Sequence, residues 1–261
     1  MRKTILITGS TDGSGLRTAK SLAEAGHKVL LHGRSAAKLE AALAEVGGDA
    51  ESVLADLSDL RAVAEMSAEV RGRCDRLDVL INNAGVLRAP ETVTADGLDV
   101  RFAVNAIAPY LLTKELLPIV PKDGRVINLS SAAQARVNVD AMAGKLPLDE
   151  MGAYAQSKLA LTIWSQELAK TLLEGPVLVA VNPGSLLASK MVKEGFGVAG
   201  NDLEIGSDIL SKAALDDSFA DASGKYFDND AGRFAAPNAA AGDPAHCAAV
   251  MQGIEEVLAG I

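Results

Sequence analysis

The sequence is poor in the residues that build disulfide frameworks and metal centres. Its two cysteines, Cys74 and Cys247, lie far apart, and neither belongs to a Cys-x-x-Cys pair or a Cys/His cluster. The three histidines show no paired metal spacing. These absences argue against a zinc site and against a disulfide-stapled fold, so we expect no bound metal and a reduced, cytoplasmic setting.

Long apolar runs and basic clusters are also missing. No stretch of about 18 apolar residues is present, so no segment is expected to cross a membrane. The formal net charge is -9 and the chain has no Lys/Arg run. Nucleic acid and anionic membranes both need a basic face, so neither is expected as a partner. An anionic ligand must therefore be held by a local site.

What the sequence does contain is a regular alternation of short β-branched runs with helical patterns. Glycine is abundant, at 24 residues, and 49% of the chain is hydrophobic. Strand and helix in alternation predict an α/β fold, a three-layer αβα sandwich around a mostly parallel sheet of about seven strands. One domain is expected over residues 1–261. Helices are expected over residues 95–117 and 153–173, and the last strand over 225–227.

Open sheets of this kind bind ligands beyond the carboxyl ends of their strands. The first strand is followed by a glycine-rich loop, residues 8–15, and then by a helix. Such a loop lets a helix N-terminus approach a pyrophosphate, although an ordinary Gly-rich turn would have the same composition. The residues expected to contact a dinucleotide here are Gly9, Ser10, Thr11, Gly13, Ser14 and Gly15.

The ends of the next strands suggest how an adenosine is held. Arg34 and Ser35 follow the second strand without an acidic residue, which favours NADP(H) over NAD(H); NAD(H) stays possible, and Arg34 has the alternative of a solvated cap. Asp56 and Leu57 follow the third strand and suit an adenine, although Asp56 or Ser58 would equally cap the next helix. The fourth strand ends in an amide-rich turn that suits a flat ligand floor and contains Asn83, Ala84 and Gly85.

Two further patterns suggest proton chemistry. Tyr154 and Lys158 are four residues apart on a helix, so they share a face, as they also would on any surface helix. A nearby cation favours phenolate, and Lys158 is therefore expected to lower the pKa of Tyr154. Pro109 lacks an N–H, which leaves the carbonyl of Asn105 free to hold a water or else marks a harmless kink.

In their order these motifs resemble the short-chain dehydrogenase/reductase family, in its single-domain branch with features of the retinol-dehydrogenase-like subgroup. The carriers of the resemblance are residues 8–15 (TGSTDGSG), 82–85 (NNAG), Asn105, Ser131, 154–158 (YAQSK) and Pro183-Gly184. The resemblance spans essentially the whole chain. It implies a Rossmann-type fold and an NAD(P)-dependent oxidoreductase that acts on a small carbonyl or alcohol substrate.

The resemblance also implies a catalytic tetrad. Tyr154 would exchange a proton with the substrate oxygen, and Lys158 would lower the pKa of the phenol and bind the nicotinamide ribose. Ser131 would hydrogen-bond the substrate carbonyl, with Ser130 as its competitor, and Asn105 would hold a relay water through its main chain. The family often pairs its fourth and fifth helices between subunits, which implies a homo-oligomer.

The last predicted contacts follow the sixth strand. Pro183, Gly184 and Leu186 are expected near the cofactor, and Ser189 is expected to replace the Thr that the resemblance places at the carboxamide. Residues 184–202 are glycine-rich and are expected to form a substrate lid, with a plain surface loop as the alternative.

Two other functions compete with a dehydrogenase. A catalytically silent NADP(H)-binding sensor or scaffold would need the cofactor loops but not the complete Asn, Ser, Tyr and Lys set. A sugar-nucleotide epimerase or lyase shares the Tyr-x-x-x-Lys pair, but usually has a different glycine spacing and a larger C-terminal substrate domain.

Overall fold

In the computed structural model, which describes residues 1–185, 187, 188 and 200–261, the strands form one eight-stranded sheet. The strands are β1 (Thr4–Ile7), β2 (Lys28–Gly33), β3 (Glu51–Leu54), β4 (Val79–Asn82), β5 (Arg125–Leu129), β6 (Val177–Asn182), β7 (Tyr226–Asp228) and β8 (Arg233–Ala235). Their order is β3-β2-β1-β4-β5-β6-β7-β8, parallel up to β7, with β8 antiparallel to β7. The mostly parallel sheet is confirmed. The eighth strand was not predicted, because three residues are too few to show a period.

The helices alternate with the strands over most of the chain. They are α1 (Gly13–Glu24), α2 (Ala36–Val46), α3 (Leu60–Arg73), α4 (Val100–Phe102), α5 (Ala108–Leu116), α6 (Val139–Met142), α7 (Glu150–Ala169), α8 (Leu203–Leu215) and α9 (Pro244–Ala259). The predicted helix over 95–117 was wrong at its start. The Asp99 carboxylate accepts from the backbone N–H of Arg101 and so caps α4, while Thr94 and Leu98 pair across a turn before it.

The helices cover both faces of the sheet and create two apolar cores. On one face α1, α2 and α8 bury Leu22, Leu39 and Leu210 against the strands. On the other face α3, α5, α7 and α9 surround Trp164, which is fully buried and donates from its ring nitrogen to the carbonyl of Ala106 at 3.1 Å. Two cores around one sheet confirm the three-layer αβα sandwich.

The face of α7 that was expected to pair between subunits is covered by the chain itself. Helix α9 packs across α7, and from Gly152 to Ala169 no residue of α7 is exposed. On neighbouring α5, Tyr110 and Lys114 both donate to Glu255 of α9. Helix α9 therefore occupies part of the surface through which the resemblance pairs these two helices between subunits.

Neither a membrane-spanning helix nor a metal cluster is found in the described part of the chain. No described helix is both long enough and apolar enough to cross a bilayer. No group of three or more His, Cys, Asp or Glu side chains within these residues is placed to hold a metal ion.

Candidate active site

A cavity of about 830 Å³ opens at the carboxyl ends of the parallel strands. It runs from the loop after β1 to the N-terminal half of α7. Of the residues predicted to bind a cofactor, those that line it are Gly9, Thr11, Gly13, Ser14, Gly15, Arg34, Asp56, Leu57, Asn83, Ala84, Gly85, Tyr154, Lys158, Pro183 and Gly184. The volume and the lining are those of a site for a dinucleotide-sized ligand.

The loop of residues 8–15, which we call the glycine loop, forms one end of the cavity. Gly9 has a φ of 64°, and a Cβ on it would lie 2.9 Å from the Cα of Ala84. Asp12 caps α1 by accepting from the backbone N–H of Gly13 at 2.7 Å. The N–H groups of Ser14 and Gly15 lie in the first turn, where a helix leaves its donors without intrahelical partners. Free donors at the positive end of a helix fit a pyrophosphate.

Two of the predicted contacts that the structure describes, Ser10 and Ser35, are not brought to the cavity wall. Ser10 is fully buried, with its hydroxyl donating to the carbonyl of Ile7 at 2.8 Å and accepting from the N–H of His32 at 2.9 Å. Ser35 precedes α2 and is absent from the cavity lining. Leu186 lies outside the described residues, as do Ser189 and most of the expected lid.

Arg34 and Asp56 face each other on the side of the glycine loop, after β2 and β3. The guanidinium of Arg34 lies 4.0 Å from the carboxylate of Asp56, and its side chain is 66% exposed. Asp56 accepts from both the N–H and the hydroxyl of Ser58, at 2.9 and 2.8 Å. Neither Asp56 nor Ser58 caps the next helix, because Asp59 caps α3. Arg34 is therefore an accessible cation that is only loosely paired.

The two adjacent serines after β5 have different environments. Ser130 is buried, and its hydroxyl lies 2.7 Å from that of Thr162. Ser131 is partly exposed in the cavity, where its hydroxyl accepts from the N–H of Ala133 at 3.1 Å and its proximity lowers the pKa of the Tyr154 phenol against the rise caused by burial. The carbonyl of Ser131 accepts from the Tyr226 hydroxyl at 3.1 Å, which ties this turn to β7. Of the two candidates, Ser131 has the hydroxyl that faces the phenol.

Tyr154 and Lys158 lie on one face of α7, as their spacing predicted, and with Ser131 they form what we call the catalytic corner. The Lys158 Nζ donates to the carbonyl of Leu129 at 2.7 Å and lies 5.7 Å from the ring centroid of Tyr154. Burial lowers the pKa of Lys158 to about 8. Burial also raises the pKa of Tyr154, and the nearby Ser131 hydroxyl opposes this rise only in part.

The predicted lowering of the pKa of Tyr154 by Lys158 was wrong, because burial dominates and raises it. An apolar environment disfavours every charged form, and it acts here on the phenolate and on the ammonium alike. Tyr154 is consequently protonated at neutral pH and ready to donate.

Asn105 lies behind the cavity in a widened turn of helix. Residues Ala103–Ile107 form a π-helix, in which the N–H of Ala108 donates to the carbonyl of Ala103. The side-chain amide of Asn105 binds the turn after β4. It accepts from the backbone N–H of Val86 at 2.7 Å and donates to the carbonyl of Val86 at 2.9 Å. With Pro109 unable to donate, the carbonyl of Asn105 has no α-helical partner.

Two parts of the cavity wall were missed from the sequence. His32 lines the cavity and contacts the glycine loop, yet its isolated position in β2 resembles any core histidine. The second part, which we call the uncharged wall, is a group of described lining residues without ionisable side chains: Val86, Ala132, Ala133, Met151, Ser185 and Leu187. The small residues directly after Ser131 were the available signal.

The glycine loop, the sheet order and the Tyr/Lys pair together define a nucleotide-binding α/β oxidoreductase. A family model described as short chain dehydrogenase matches residues 3–196. The chain belongs to the short-chain dehydrogenase/reductase family, and its features are those of the retinol-dehydrogenase-like subgroup.

Three similar proteins illustrate this relationship. Retinol dehydrogenase 13 of Homo sapiens is 32% identical, over 91% of this chain and 79% of that protein. A structure of an uncharacterised protein from Mycobacterium paratuberculosis has a TM-score of 0.81 at 29% identity and covers 98% of this chain and 92% of that one. A metagenomic short-chain oxidoreductase in complex with NADP has a TM-score of 0.64 at 32% identity, covering 83% and 93%.

Proposed function

We propose that this protein is an NADP(H)-dependent oxidoreductase that interconverts an apolar carbonyl compound and the corresponding alcohol. The observation that carries the proposal is the meeting of Ser131, Tyr154 and Lys158 at one end of a cavity whose other end is the glycine loop. The bound nicotinamide supplies or accepts the hydride. The chain supplies orientation, a proton and donors for the developing oxyanion.

Each residue of the catalytic corner has a role that follows from its environment. Tyr154, protonated because burial raises its pKa, donates its proton to the substrate oxygen in the reductive direction. Ser131 donates a second hydrogen bond to the same oxygen. Lys158, with a pKa near 8, is the buried cation that stabilises the resulting phenolate. Asn105 offers its free carbonyl to a water that returns the proton.

Preference for NADP(H) rests on Arg34. This guanidinium is exposed on the side of the glycine loop, and its pairing with Asp56 is loose at 4.0 Å. A 2'-phosphate would therefore find a cation with free donors. Titration of the protein with NADPH and NADH, followed by nucleotide fluorescence, tests the preference. We expect NADPH to bind at least tenfold more tightly and Arg34→Ala to abolish the difference; tighter binding of NADH would overturn the assignment.

The uncharged wall, in which Ala132 and Ala133 directly follow Ser131 of the catalytic corner, favours an apolar substrate. None of its described residues is ionisable, and Met151 presents a 39% exposed side chain. Burying a charged group against this wall would leave the charge unpaired. The relative named retinol dehydrogenase carries the name of an apolar alcohol, which agrees with this choice. A panel of aldehydes and ketones followed at the NADPH absorbance, with carboxylated analogues as matched controls, should give turnover only for the apolar members.

The second candidate is an NADP(H)-binding sensor without catalysis. It would share the cofactor loops, and tight NADPH binding without turnover of any panel member would favour it. The contact between Ser131 and Tyr154 argues for catalysis, because a sensor has no need for a buried phenol with a hydroxyl partner.

Oligomeric state and cellular location are further proposals. We propose that the protein forms a homo-oligomer and that, because α9 packs on α7, the contact includes surfaces other than α7. Light scattering that gives the mass of one chain would end that proposal. A cytoplasmic location is proposed because Cys74 and Cys247 form no disulfide, and it is tested by cell fractionation.

A further inference from the structure

The imidazole of His32 bridges the glycine loop and the end of β3. It is almost fully buried at the carboxyl end of β2. Its Nδ1 accepts from the backbone N–H of Gly9 at 3.1 Å, and its Nε2 lies 3.2 Å from the carbonyl of Ala55. One ring therefore connects the ends of three neighbouring strands at the cavity edge.

These two partners determine the protonation state of the ring. A backbone N–H can only donate and a carbonyl can only accept, so Nδ1 is bare and Nε2 carries the proton. Burial supports the neutral form by lowering the pKa of His32 to about 4, and the facing carboxylate of Asp56 opposes this only weakly. His32 is therefore neutral, with a defined tautomer.

The bond to His32 completes the support of Gly9. The carbonyl of Gly9 accepts from the side-chain amide of Asn83 at 3.1 Å, so both peptide groups of this residue are held by side chains from other strands. The φ of 64° at Gly9 starts the turn that leads the chain to the first donors of α1. A change in the backbone conformation of Gly9 would therefore move all of those N–H donors.

We propose that His32 is a positioning residue that presets the glycine loop for the pyrophosphate of the dinucleotide, acting through Nδ1 on the N–H of Gly9. The proposal rests on the proposed cofactor. A preset loop raises affinity because less conformational freedom is lost on binding. His32 is not expected to touch the reacting atoms, so its effect belongs to cofactor binding rather than to the chemical step.

Three substitutions separate the two nitrogens of the ring. His32→Asn keeps an acceptor near the position of Nδ1, His32→Gln keeps a polar group near the position of Nε2, and His32→Leu keeps neither. We expect His32→Gln and His32→Leu to raise the Kd for NADPH and the KM for NADPH roughly tenfold, with a smaller change in kcat, and His32→Asn to stay within about threefold of the wild type.

His27 provides a matched control at the opposite end of the same strands. Its Nδ1 accepts from the backbone N–H of Lys3 at 3.1 Å, before β1 and away from the cavity. His27→Leu removes an equivalent bond and is expected to lower the melting temperature without changing the Kd for NADPH. Melting temperatures of all variants separate loss of fold from loss of affinity.

Hydrogen exchange at the Gly9 amide provides a readout without cofactor. We expect protection in the wild type and in His32→Asn, and faster exchange in His32→Gln and His32→Leu. An unchanged Kd in His32→Leu, or an equal loss in His32→Asn and His32→Leu, would overturn the role of Nδ1. A wild-type protein that protects Gly9 but binds neither NADPH nor NADH would instead overturn the proposed function, and the purpose assigned to His32 with it.

Discussion

The two ends of the cavity are built in contrasting ways. At the glycine loop, both peptide groups of Gly9 find partners within the chain: the N–H donates to His32, and the carbonyl accepts from Asn83. At the catalytic corner, burial opposes the charged forms of the working groups, raising the pKa of Tyr154 and lowering that of Lys158 to about 8. The glycine loop is stabilised by its hydrogen bonds, whereas the buried ionisable groups of the catalytic corner lower the stability of the fold.

This contrast separates the residues that fix the conformation of the cofactor loop from those that set the reactivity of the catalytic corner. A loop that binds a ligand by its backbone needs a fixed conformation, which satisfied hydrogen bonds provide. Groups that move a proton have pKa values set by their surroundings: burial shifts the pKa of Lys158 toward neutral pH and keeps the phenol of Tyr154 protonated by raising its pKa. Substitutions at the first end should therefore change affinity, whereas those at the second should change turnover and often raise stability.

The sharpest test of the contrast is Tyr154→Phe. The variant keeps the ring and removes only the hydroxyl that donates the proton, so kcat should fall by about a thousandfold while the Kd for NADPH stays within about twofold. Steady-state kinetics on an accepted aldehyde and a fluorescence titration measure the two quantities. Turnover within tenfold of the wild type would show that another group donates the proton.

The adjacent serines show the same contrast, because one should affect turnover and the other should affect stability. Ser131→Ala removes the hydroxyl that faces Tyr154 and should lower kcat/KM by about a hundredfold with little change in stability. Ser130→Ala removes the buried partner of Thr162 and should lower the free energy of unfolding by about 1 kcal/mol with turnover retained. Kinetics and urea unfolding of both variants distinguish them; the reverse result would exchange their roles.

Much of the fold and of the candidate site could be predicted from the sequence, because the site residues follow recognisable strands along the chain. The glycine loop and the Tyr154 helix follow from apolar runs, glycine spacing and helical periodicity. The helix expected over 153–173 and the strand expected over 225–227 lie within four residues of the observed α7 and β7. Helix α8 was missed because it follows a long glycine-rich segment, which obscures where a new apolar period begins.

What the sequence could not provide depends on burial and on partners from other strands. Adjacent Ser130 and Ser131 differ only in what surrounds them. The pKa of Tyr154 rises because its pocket is apolar, a property of many distant residues that no local pattern contains. The same holds for His32, whose partners Gly9 and Ala55 come from other strands.

Lys158→Met directly tests how much the buried ammonium of the catalytic corner lowers the free energy of unfolding. The pKa of Lys158 falls from 10.5 to about 8 on folding, which corresponds to about 3 kcal/mol of lost stability at neutral pH. Replacing the ammonium by an apolar chain should raise the free energy of unfolding at pH 7 by about 2 kcal/mol, since the carbonyl of Leu129 also loses its donor. Activity should be lost.

The pH dependence of this gain identifies its cause. Below about pH 8 the folded and unfolded wild type both carry the charge on Lys158, and the full penalty is present. As the pH rises towards 10.5, the folded lysine is neutral while the unfolded one still binds a proton, so the wild type gains stability on the variant. Urea unfolding at pH 7 and pH 10 measures both; a gain that is constant with pH would point to packing instead.

The smallest expected effect lies in the glycine loop and compares Gly9→Ala with Gly13→Ala. Both residues have a positive φ, at 64° and 56°, but a Cβ on Gly9 would lie 2.9 Å from the backbone of Ala84, whereas one on Gly13 would meet nothing within 4 Å. Gly13→Ala should lower the free energy of unfolding by about 1 kcal/mol through backbone strain alone.

Gly9→Ala should lower it by about 2 kcal/mol, because the loop must also move away from Ala84. The displaced loop should raise the Kd for NADPH about tenfold while kcat at saturating cofactor is nearly retained. Urea unfolding and NADPH titration of the two variants give both numbers. If Gly9→Ala lowers kcat and leaves the Kd unchanged, the glycine loop serves reactivity as well as shape, and the contrast between the two ends of the cavity is lost.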